Sequence, residues 1–188
     1  MRWLKWLILI VVIIVVVAIP VRYYNLFVTY EQKVRNAWAE VENQLKRRND
    51  LIPNLVNSVK GYMGHEREIF EHVADARAKL AGAMKVGDRK KIIESAGELG
   101  MALGRLLAIV ERYPELKANQ TFIRLMDELA GTENRIAVAR KRYNDTVREY
   151  NTIIKRFPGN IFARLYNKSE EPYFTIPEEE KATPKVEF

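Results

Sequence analysis

The sequence predicts an all-α protein: an N-terminal transmembrane helix followed by an antiparallel four-helix bundle with long first and last helices. The first observation is an unbroken apolar run over residues 6–19. The second is that apolar residues after this run recur at alternating steps of three and four, which is typical of helices packed on helices. The third is that no segment shows the features of a strand.

The totals limit the number of domains and the classes of chemistry. Beyond a short anchor, a chain of 188 residues leaves room for one domain with a proper core. The chain has no cysteine, which excludes disulfides, thiolate catalysis and cysteine-bound metals. The formal net charge is +7 although residues 169–188 are acidic, so the body is basic. Such a body suits anionic lipid or nucleic acid as a neighbour, or a solvated charged face.

Residues 3–21 are predicted to cross the membrane as a single-pass anchor, with residues 1–22 forming the anchor segment. A helix of this length rises about 28 Å, against a bilayer core of about 30 Å. Pro20 is expected to bend the helix at its exit. A cleaved signal peptide is the alternative, but Pro20 and the missing polar region after the apolar run disfavour it. Basic residues flank both ends, so the side of the cell membrane that carries the domain is undetermined.

The domain over residues 23–168 is predicted to hold four main helices and a short fifth one. The sequence turns to an acidic, disordered or draped tail over residues 169–188, because this stretch is rich in proline and glutamate. Gly87 and Asp88 signal a tight turn between the second and third helices. The predicted helices cover residues 24–60 with a kink near Pro53, 64–85, 88–112, 119–156 and, as a short piece, 160–167.

Three glycines form a strip along the third predicted helix, at positions Gly97, Gly100 and Gly104. Each costs about 1 kcal/mol of helix propensity relative to alanine. A strip that costs this much needs a structural reason. We expect the close approach of a neighbouring helix to supply it.

Four charged residues fall on the apolar seams of the predicted helices: Arg48, Glu66, Glu133 and Arg140. A buried charge costs several kcal/mol unless it is paired. The two acids and two bases are therefore predicted to form a buried structural network that maintains the helix register. A polar site that holds or senses a ligand is the alternative. Because a broken pair leaves an unpaired buried charge, Arg48→Met is expected to cost about 3–5 kcal/mol.

No catalytic, cofactor-binding or metal-binding residue is predicted. His65 and His72 lie two helical turns apart, about 10.5 Å, too far for one metal whose ligands lie about 2.0–2.1 Å away. Glu68 and His72 could supply half a site, since they are four residues apart. The basic clusters do not form one stripe, so nucleic acid is not a predicted partner. No motif for a small-molecule substrate appears.

Long motifs follow one another through the domain. They include LKRRNDLIPNLV over residues 45–56, ERYPELKANQTF over 111–122 and TENRIAVARKRYNDTVREYN over 132–151. In these motifs and their order the sequence resembles the LemA family of bacterial membrane proteins. The resemblance implies a single N-terminal span, a helical bundle and no established enzymatic residues. By family context, it also implies a membrane protease system as a candidate partner.

Taken together, the anchor and the absence of a catalytic motif predict a protein that is not an enzyme. It is expected to act as a scaffold or adaptor that binds unidentified protein partners in the cell envelope. Two alternatives stay open at this point: an enzyme or metal-dependent protein of unrecognised type, and a sensor of anionic lipid or envelope stress.

Overall fold

The computed structural model describes residues 2–62 and 66–175, and it is all-helical, with no strand in either stretch. The predicted fold class is therefore confirmed as all-α with a long N-terminal apolar helix. The arrangement as a four-helix bundle stays a prediction. The helices are α1 (Arg2–Lys60), α2 (Arg67–Val86), α3 (Arg89–Val110), α4 (Pro114–Lys117), α5 (Gln120–Lys155) and α6 (Gly159–Leu165).

Helix α1 joins the predicted anchor and the first predicted bundle helix in one continuous helix of 59 residues. The sequence suggested a boundary near Pro20 and a kink near Pro53, and α1 runs through both residues as helix. A proline removes one backbone hydrogen bond from a helix, while the turns on either side keep theirs. The helical pattern can therefore continue past each proline.

The turn between α2 and α3 lies at Gly87 and Asp88, as the sequence predicted. Gly87 has φ 76°, the left-handed conformation that glycine adopts at low cost, and its amide donates to two carbonyls of the last turn of α2. The Asp88 side chain accepts hydrogen bonds from the amides of Lys90 and Lys91 and so caps the start of α3. These two residues therefore end α2 and start α3 through local backbone and side-chain interactions.

A short helix, α4, lies in the region where the sequence predicted only a break. Pro114 occupies its first position, where a missing amide hydrogen is not needed. Leu116 is fully buried, so this turn contributes to the core. Asn119 follows, and its side-chain oxygen accepts from the amides of Thr121 and Phe122 at 2.9 and 3.1 Å, which caps α5.

The contacts divide the described chain into two compact units. The first unit contains residues 2–39 and 141–173, which include the apolar start of α1, the C-terminal part of α5 and all of α6. The second unit contains the described residues of 40–140 together with residues 174 and 175. It includes α2, α3 and α4, the last part of α1 and the first part of α5.

The core of the first unit is aromatic. The rings of Trp38 and Tyr143 meet edge-on with centroids 5.2 Å apart, and those of Tyr23 and Phe162 stack at 4.8 Å. The α1 positions Phe27, Val34 and Trp38 in this unit are buried, as their helical spacing predicts. Helix α5 stops at Lys155, and Phe157 beyond it is 80% exposed. The helical period no longer applies there.

The described part of the acidic tail is held against the first unit by α5. The side-chain amide of Asn151 donates to the carbonyl of Glu171 and accepts from its backbone amide, both at 2.9 Å. The hydroxyl of Tyr143 donates to the carbonyl of Pro172 at 2.7 Å, and Lys155 pairs with Glu170 at 2.8 Å. Residues 169–173 therefore follow α5, whereas 176–188 lie outside the described residues.

The core of the second unit is mostly aliphatic and contains one face of α3, whose apolar residues recur at the helical period. Every member of that face is buried, as the period of 3.6 requires. Seam residues of α1 and α2 are buried in the same unit. The buried α3 residues are Ile92, Ala96, Leu99, Leu103, Leu106 and Val110.

Candidate functional site

A cavity of about 470 Å³ opens in the second unit, and we name it the α3 groove. Side chains of α1, α3 and α5 form its walls, together with Phe174. Most of the lining is apolar, and the charged residues among it are Arg48, Glu133 and Arg140. The remaining lining residues are Leu45, Ile93, Ala96, Gly97, Gly100, Met101, Leu103, Gly104, Leu107, Met126, Leu129, Ala130 and Ile136.

The glycine strip of α3 lines this groove along its length. Gly97, Gly100 and Gly104 all belong to the lining. A Cβ added to Gly104 would meet no heavy atom within 4 Å. The expectation of a closely approaching helix is therefore wrong at Gly104, where the missing side chain leaves open space. At the other end of the strip, Gly97 is buried.

Arg48 lies at the buried side of the groove because it continues the inward-facing row of α1. The residue is 5% exposed. Its two terminal nitrogens donate to Glu133 Oε2 and to the carbonyl of Ala96, both at 2.9 Å. Its Nε is buried and has no hydrogen-bond partner within the part of the chain that the structure describes. This guanidinium is thus paired but not fully satisfied.

Glu133 lies at the groove with its side chain 54% exposed, so it is not a buried seam residue. The neighbouring Thr132 is fully buried instead, and its hydroxyl donates to the carbonyl of Glu128 at 2.8 Å. Ala139 likewise takes the interior position beside Arg140. The predicted α5 seam was therefore displaced by one residue at two positions. Both patterns have steps of three and four, and burying the small uncharged residue avoids the cost of burying a charge.

The other two charges of the predicted network have different surroundings. The guanidinium carbon of Arg140 lies 4.4 Å from the centroid of the Phe174 ring, which is cation–π geometry. Glu66 precedes α2, and its Oε1 accepts from Arg112 at 3.4 Å. The structure therefore brings Arg48 and Glu133 together and pairs Glu66 with Arg112, a residue that the seam pattern did not identify. A joint network of all four charges stays a prediction.

A partly buried polar cluster in the first unit contains Glu31, Tyr150 and Lys168. The hydroxyl of Tyr150 donates to Glu31 Oε1 at 3.1 Å, and the ammonium of Lys168 lies 2.7 Å from the same oxygen. Burial, and then the negative charge of Glu31, raise the pKa of the Tyr150 hydroxyl well above its usual range. The cluster links α1 to α5 and to the segment after α6 through polar contacts with the same carboxylate oxygen.

The histidines form no metal site that the described residues could complete. His72 lies 3.5 Å from Glu68, and both side chains are more than half exposed. His65 lies outside the described residues. Within residues 2–62 and 66–175, no group of three or more His, Asp or Glu residues could hold a metal ion.

The chain is similar to a known protein family and to several named proteins. A model described as "LemA family" matches residues 37–188. Magnetosome protein MamQ 2 of Paramagnetospirillum magneticum is 30% identical and covers 80% of this chain, which spans 64% of that relative. Magnetosome protein MamQ of Magnetospirillum gryphiswaldense has the same identity and coverage. Protein LemA of Metamycoplasma hominis is 26% identical over 73% of this chain and 63% of the relative. The chain thus spans somewhat less than two thirds of these relatives.

Proposed function

Because the chain belongs to the LemA family, we propose that it acts as a membrane-anchored scaffold or adaptor that binds protein partners in the cell envelope. The observation that carries this proposal is the continuity of α1. One helix of 59 residues holds an apolar stretch without packing partners and then the core positions of the folded domain. Such a helix attaches the folded domain to the membrane without a flexible linker, which suits a tethered adaptor.

The start of α1 supports a single crossing of the membrane. The large apolar side chains from Trp3 to Val17 are about half exposed or more, and none of them has a partner that buries it. Among the described residues, α1 is the one helix long and apolar enough to cross a membrane. An apolar surface of this length is costly in water and is stable in hydrocarbon. We therefore place residues 3–21 in the cell membrane.

The domain that the anchor carries is proposed to be an antiparallel four-helix bundle formed by the portion of α1 after the anchor and by α2, α3 and α5. The lengths of α2, α3 and α5, at 20, 22 and 36 residues, are compatible with this arrangement. We retain the division into anchor 1–22, domain 23–168 and tail 169–188. Within the domain, Arg48, Glu66, Glu133 and Arg140 are proposed to act as structural charges.

The nature of the described polar groups favours binding over catalysis. The ion pairs around the groove and in the first unit hold helices together, and the names of the family and of the relatives state no reaction. The proposed partners are other proteins of the envelope, with a membrane protease system as one candidate. That candidate follows from family context alone.

Crosslinking in intact membranes, followed by mass spectrometry, tests the adaptor role. The control is an unrelated helical bundle tethered by the same residues 1–22, which reports proteins captured through the span alone. A real adaptor should enrich at least one protein over this control in repeated experiments. Equal recovery of every protein with the two baits would contradict the proposal.

A further inference from the structure

We propose that helix α6 is a second membrane contact, whose exposed apolar side chains lie in the headgroup region of the bilayer that the span crosses. This contact rests on the proposed placement of residues 3–21 in the membrane, and it goes beyond that placement because it assigns lipid contact to a separate part of the chain. Three observations support it: the position of α6 along α1, the apolar side chains that α6 leaves exposed and the cations near them.

Helix α6 and the residue that follows it pack against α1 where the proposed span ends. The hydroxyl of Tyr166 donates to the carbonyl of Pro20 at 3.1 Å, and the rings of Phe162 and Tyr23 stack with centroids 4.8 Å apart. At a rise of 1.5 Å per residue, Tyr23 lies about 3 Å beyond residue 21 along α1. The headgroup region on each side of the hydrocarbon is about 5–7 Å thick. These contacts therefore place α6 at the depth of the headgroups.

Tyrosine rings of α1 and of the segment after α6 lie at the same depth. Tyr24 is 48% exposed, and its ring meets that of Tyr166 edge-on with centroids 5.3 Å apart. Tyrosine is enriched at the interface between membrane and water, because its ring is apolar and its hydroxyl is polar. An interfacial position for this pair agrees with the depth that the contacts with Pro20 and Tyr23 indicate.

The packing of α6 leaves apolar side chains uncovered. Gly159 and Ala163 are buried within the first unit. On the other side of the helix, Ile161 and Leu165 lie one turn apart and are 54% and 67% exposed, and Phe157 just before α6 is 80% exposed. Single exposed apolar residues are common on protein surfaces, but these three lie close together in the sequence and at the edge of the bilayer. The acyl chains of that bilayer are the nearest apolar medium.

The same region carries three arginines that suit a phospholipid surface. Arg22 follows the span, Arg156 precedes α6 and Arg164 lies within it. All three are exposed, and none has an ion-pair partner among the described residues. Long basic side chains extend their apolar stems along hydrocarbon and keep their charge among the headgroups. A second copy of this chain on the same face would instead bring identical arginines together, which is unfavourable.

Spin labels at single cysteines test the depth of α6 in the full chain. The protein has no cysteine of its own, so each of the variants Ile161→Cys, Leu165→Cys, Val12→Cys and Val86→Cys carries one label. The labelled proteins are reconstituted in vesicles of phosphatidylcholine and phosphatidylglycerol. Electron paramagnetic resonance then compares the collision rate of each label with oxygen, which concentrates in hydrocarbon, and with a water-soluble nickel chelate.

Two of the labels are references. Val12 lies within the proposed span, and Val86 is a control that is 73% exposed in the second unit. We expect the ratio of oxygen to chelate collisions at Ile161→Cys and Leu165→Cys to be several-fold higher than at Val86→Cys and lower than at Val12→Cys. Circular dichroism of every variant confirms that it remains helical.

Three results would overturn the α6 contact, and they differ from one another. Ratios at both α6 labels equal to that of Val86→Cys, with the Val12→Cys label in hydrocarbon, would overturn the contact and leave the span intact. An aqueous ratio at Val12→Cys would overturn the span and the α6 contact together. Labels on α6 that neither reagent reaches would show that protein, such as a second copy, covers this face. The adaptor role has its own crosslinking test.

A charge reversal tests the contact between arginine and phosphate. Arg164→Glu places a carboxylate among the phosphates, so the ratio at the Ile161→Cys label should fall several-fold. Arg124→Glu is the matched control, because Arg124 is an exposed arginine of the second unit. Equal ratios in Arg164→Glu and Arg124→Glu would overturn the assignment of Arg164 to the phosphates.

Discussion

At the scale of single residues, Arg48 and Glu133 form an ion pair whose partners are unequally buried. The Arg48 side chain is 6% exposed and the Glu133 side chain 54%. The sequence-based estimate for Arg48→Met assumed that the variant leaves a buried acid without a partner. Water reaches Glu133, so its carboxylate can be hydrated when the arginine is removed. The larger penalty belongs to the opposite change, which leaves the buried guanidinium without its counter-charge.

We expect Glu133→Ala to lower the free energy of unfolding by about 1–3 kcal/mol, between the values for exposed and buried pairs. Arg48→Met should cost less, since methionine replaces a buried charge by an apolar chain that fills much of the same space. The double variant should resemble Arg48→Met. Urea unfolding of the full chain in micelles, followed by circular dichroism, measures all three. A larger loss in Arg48→Met than in Glu133→Ala would refute this asymmetry.

Tyr150 is expected to make stability sensitive to alkaline pH. Burial and Glu31 raise the pKa of its hydroxyl in the folded state, whereas an unfolded tyrosine ionises near pH 10. Below about pH 10 both states keep the proton and the contribution to stability is complete. Above that pH the unfolded state releases a proton that the folded state retains, so stability falls.

Tyr150→Phe isolates this contribution. At neutral pH the variant should be less stable by about 0.5–1.5 kcal/mol, because it loses the hydrogen bond to Glu31. As the pH rises above 10, the deficit should shrink, since phenylalanine has no proton to lose. Unfolding free energies of both proteins over this pH range provide the measurement. A deficit that stays constant with pH would show that Tyr150 is not the group responsible.

At the scale of the elements, Gly82 and Gly87 of neighbouring turns have opposite expected responses to alanine. Gly82 lies inside α2 in open space, so Gly82→Ala should stabilise the protein by up to about 1 kcal/mol through helix propensity. Gly87 has φ 76° at the end of α2, so Gly87→Ala should cost about 1 kcal/mol or more. Thermal unfolding of the two variants compares them directly. Changes of the same sign would contradict the assigned helix end.

The hydrogen-bonded backbone of Glu171, after α6, is expected to depend on one side chain of α5. Asn151→Ala removes two hydrogen bonds to the backbone of Glu171. The amide of Glu171 should then exchange with solvent deuterium faster than in the parent protein. Thr152→Ala is the control, since the Thr152 hydroxyl bonds the carbonyl of Arg148 within α5. Unchanged exchange at Glu171 in Asn151→Ala would mean that other contacts hold this segment.

At the scale of the whole molecule, attachment is expected to depend on the first turns of α1. An arginine at the centre of a span costs about 2.5–3.5 kcal/mol. The double variant Val11→Arg, Ile14→Arg should therefore leave the membrane fraction, while Val11→Ala, Ile14→Ala should stay in it. Fractionation and alkaline carbonate extraction measure both. Retention of the arginine variant in carbonate-washed membranes would contradict the proposed span.

Much of the fold could be predicted from local signals. The α1 residues Phe27, Val34 and Leu45, which recur at helical spacing, are buried. Gly87 and Asp88 marked a turn because their backbone and side-chain chemistry is local. The cluster at Glu31 and the interior position of Thr132 could not be predicted in this way, since each depends on a distant partner helix.

What the sequence determined by itself was the family resemblance, the helical class, the apolar start of α1 and the inward-facing row to which Arg48 belongs. These follow from composition and from periods within one element. Tertiary structure alone decided that Thr132 is buried beside an exposed Glu133, and that Gly104 borders a cavity. The physical reason is that the helical period is compatible with burial of either of two adjacent faces of a helix. Only the packing of other helices decides which face is buried and where a cavity remains.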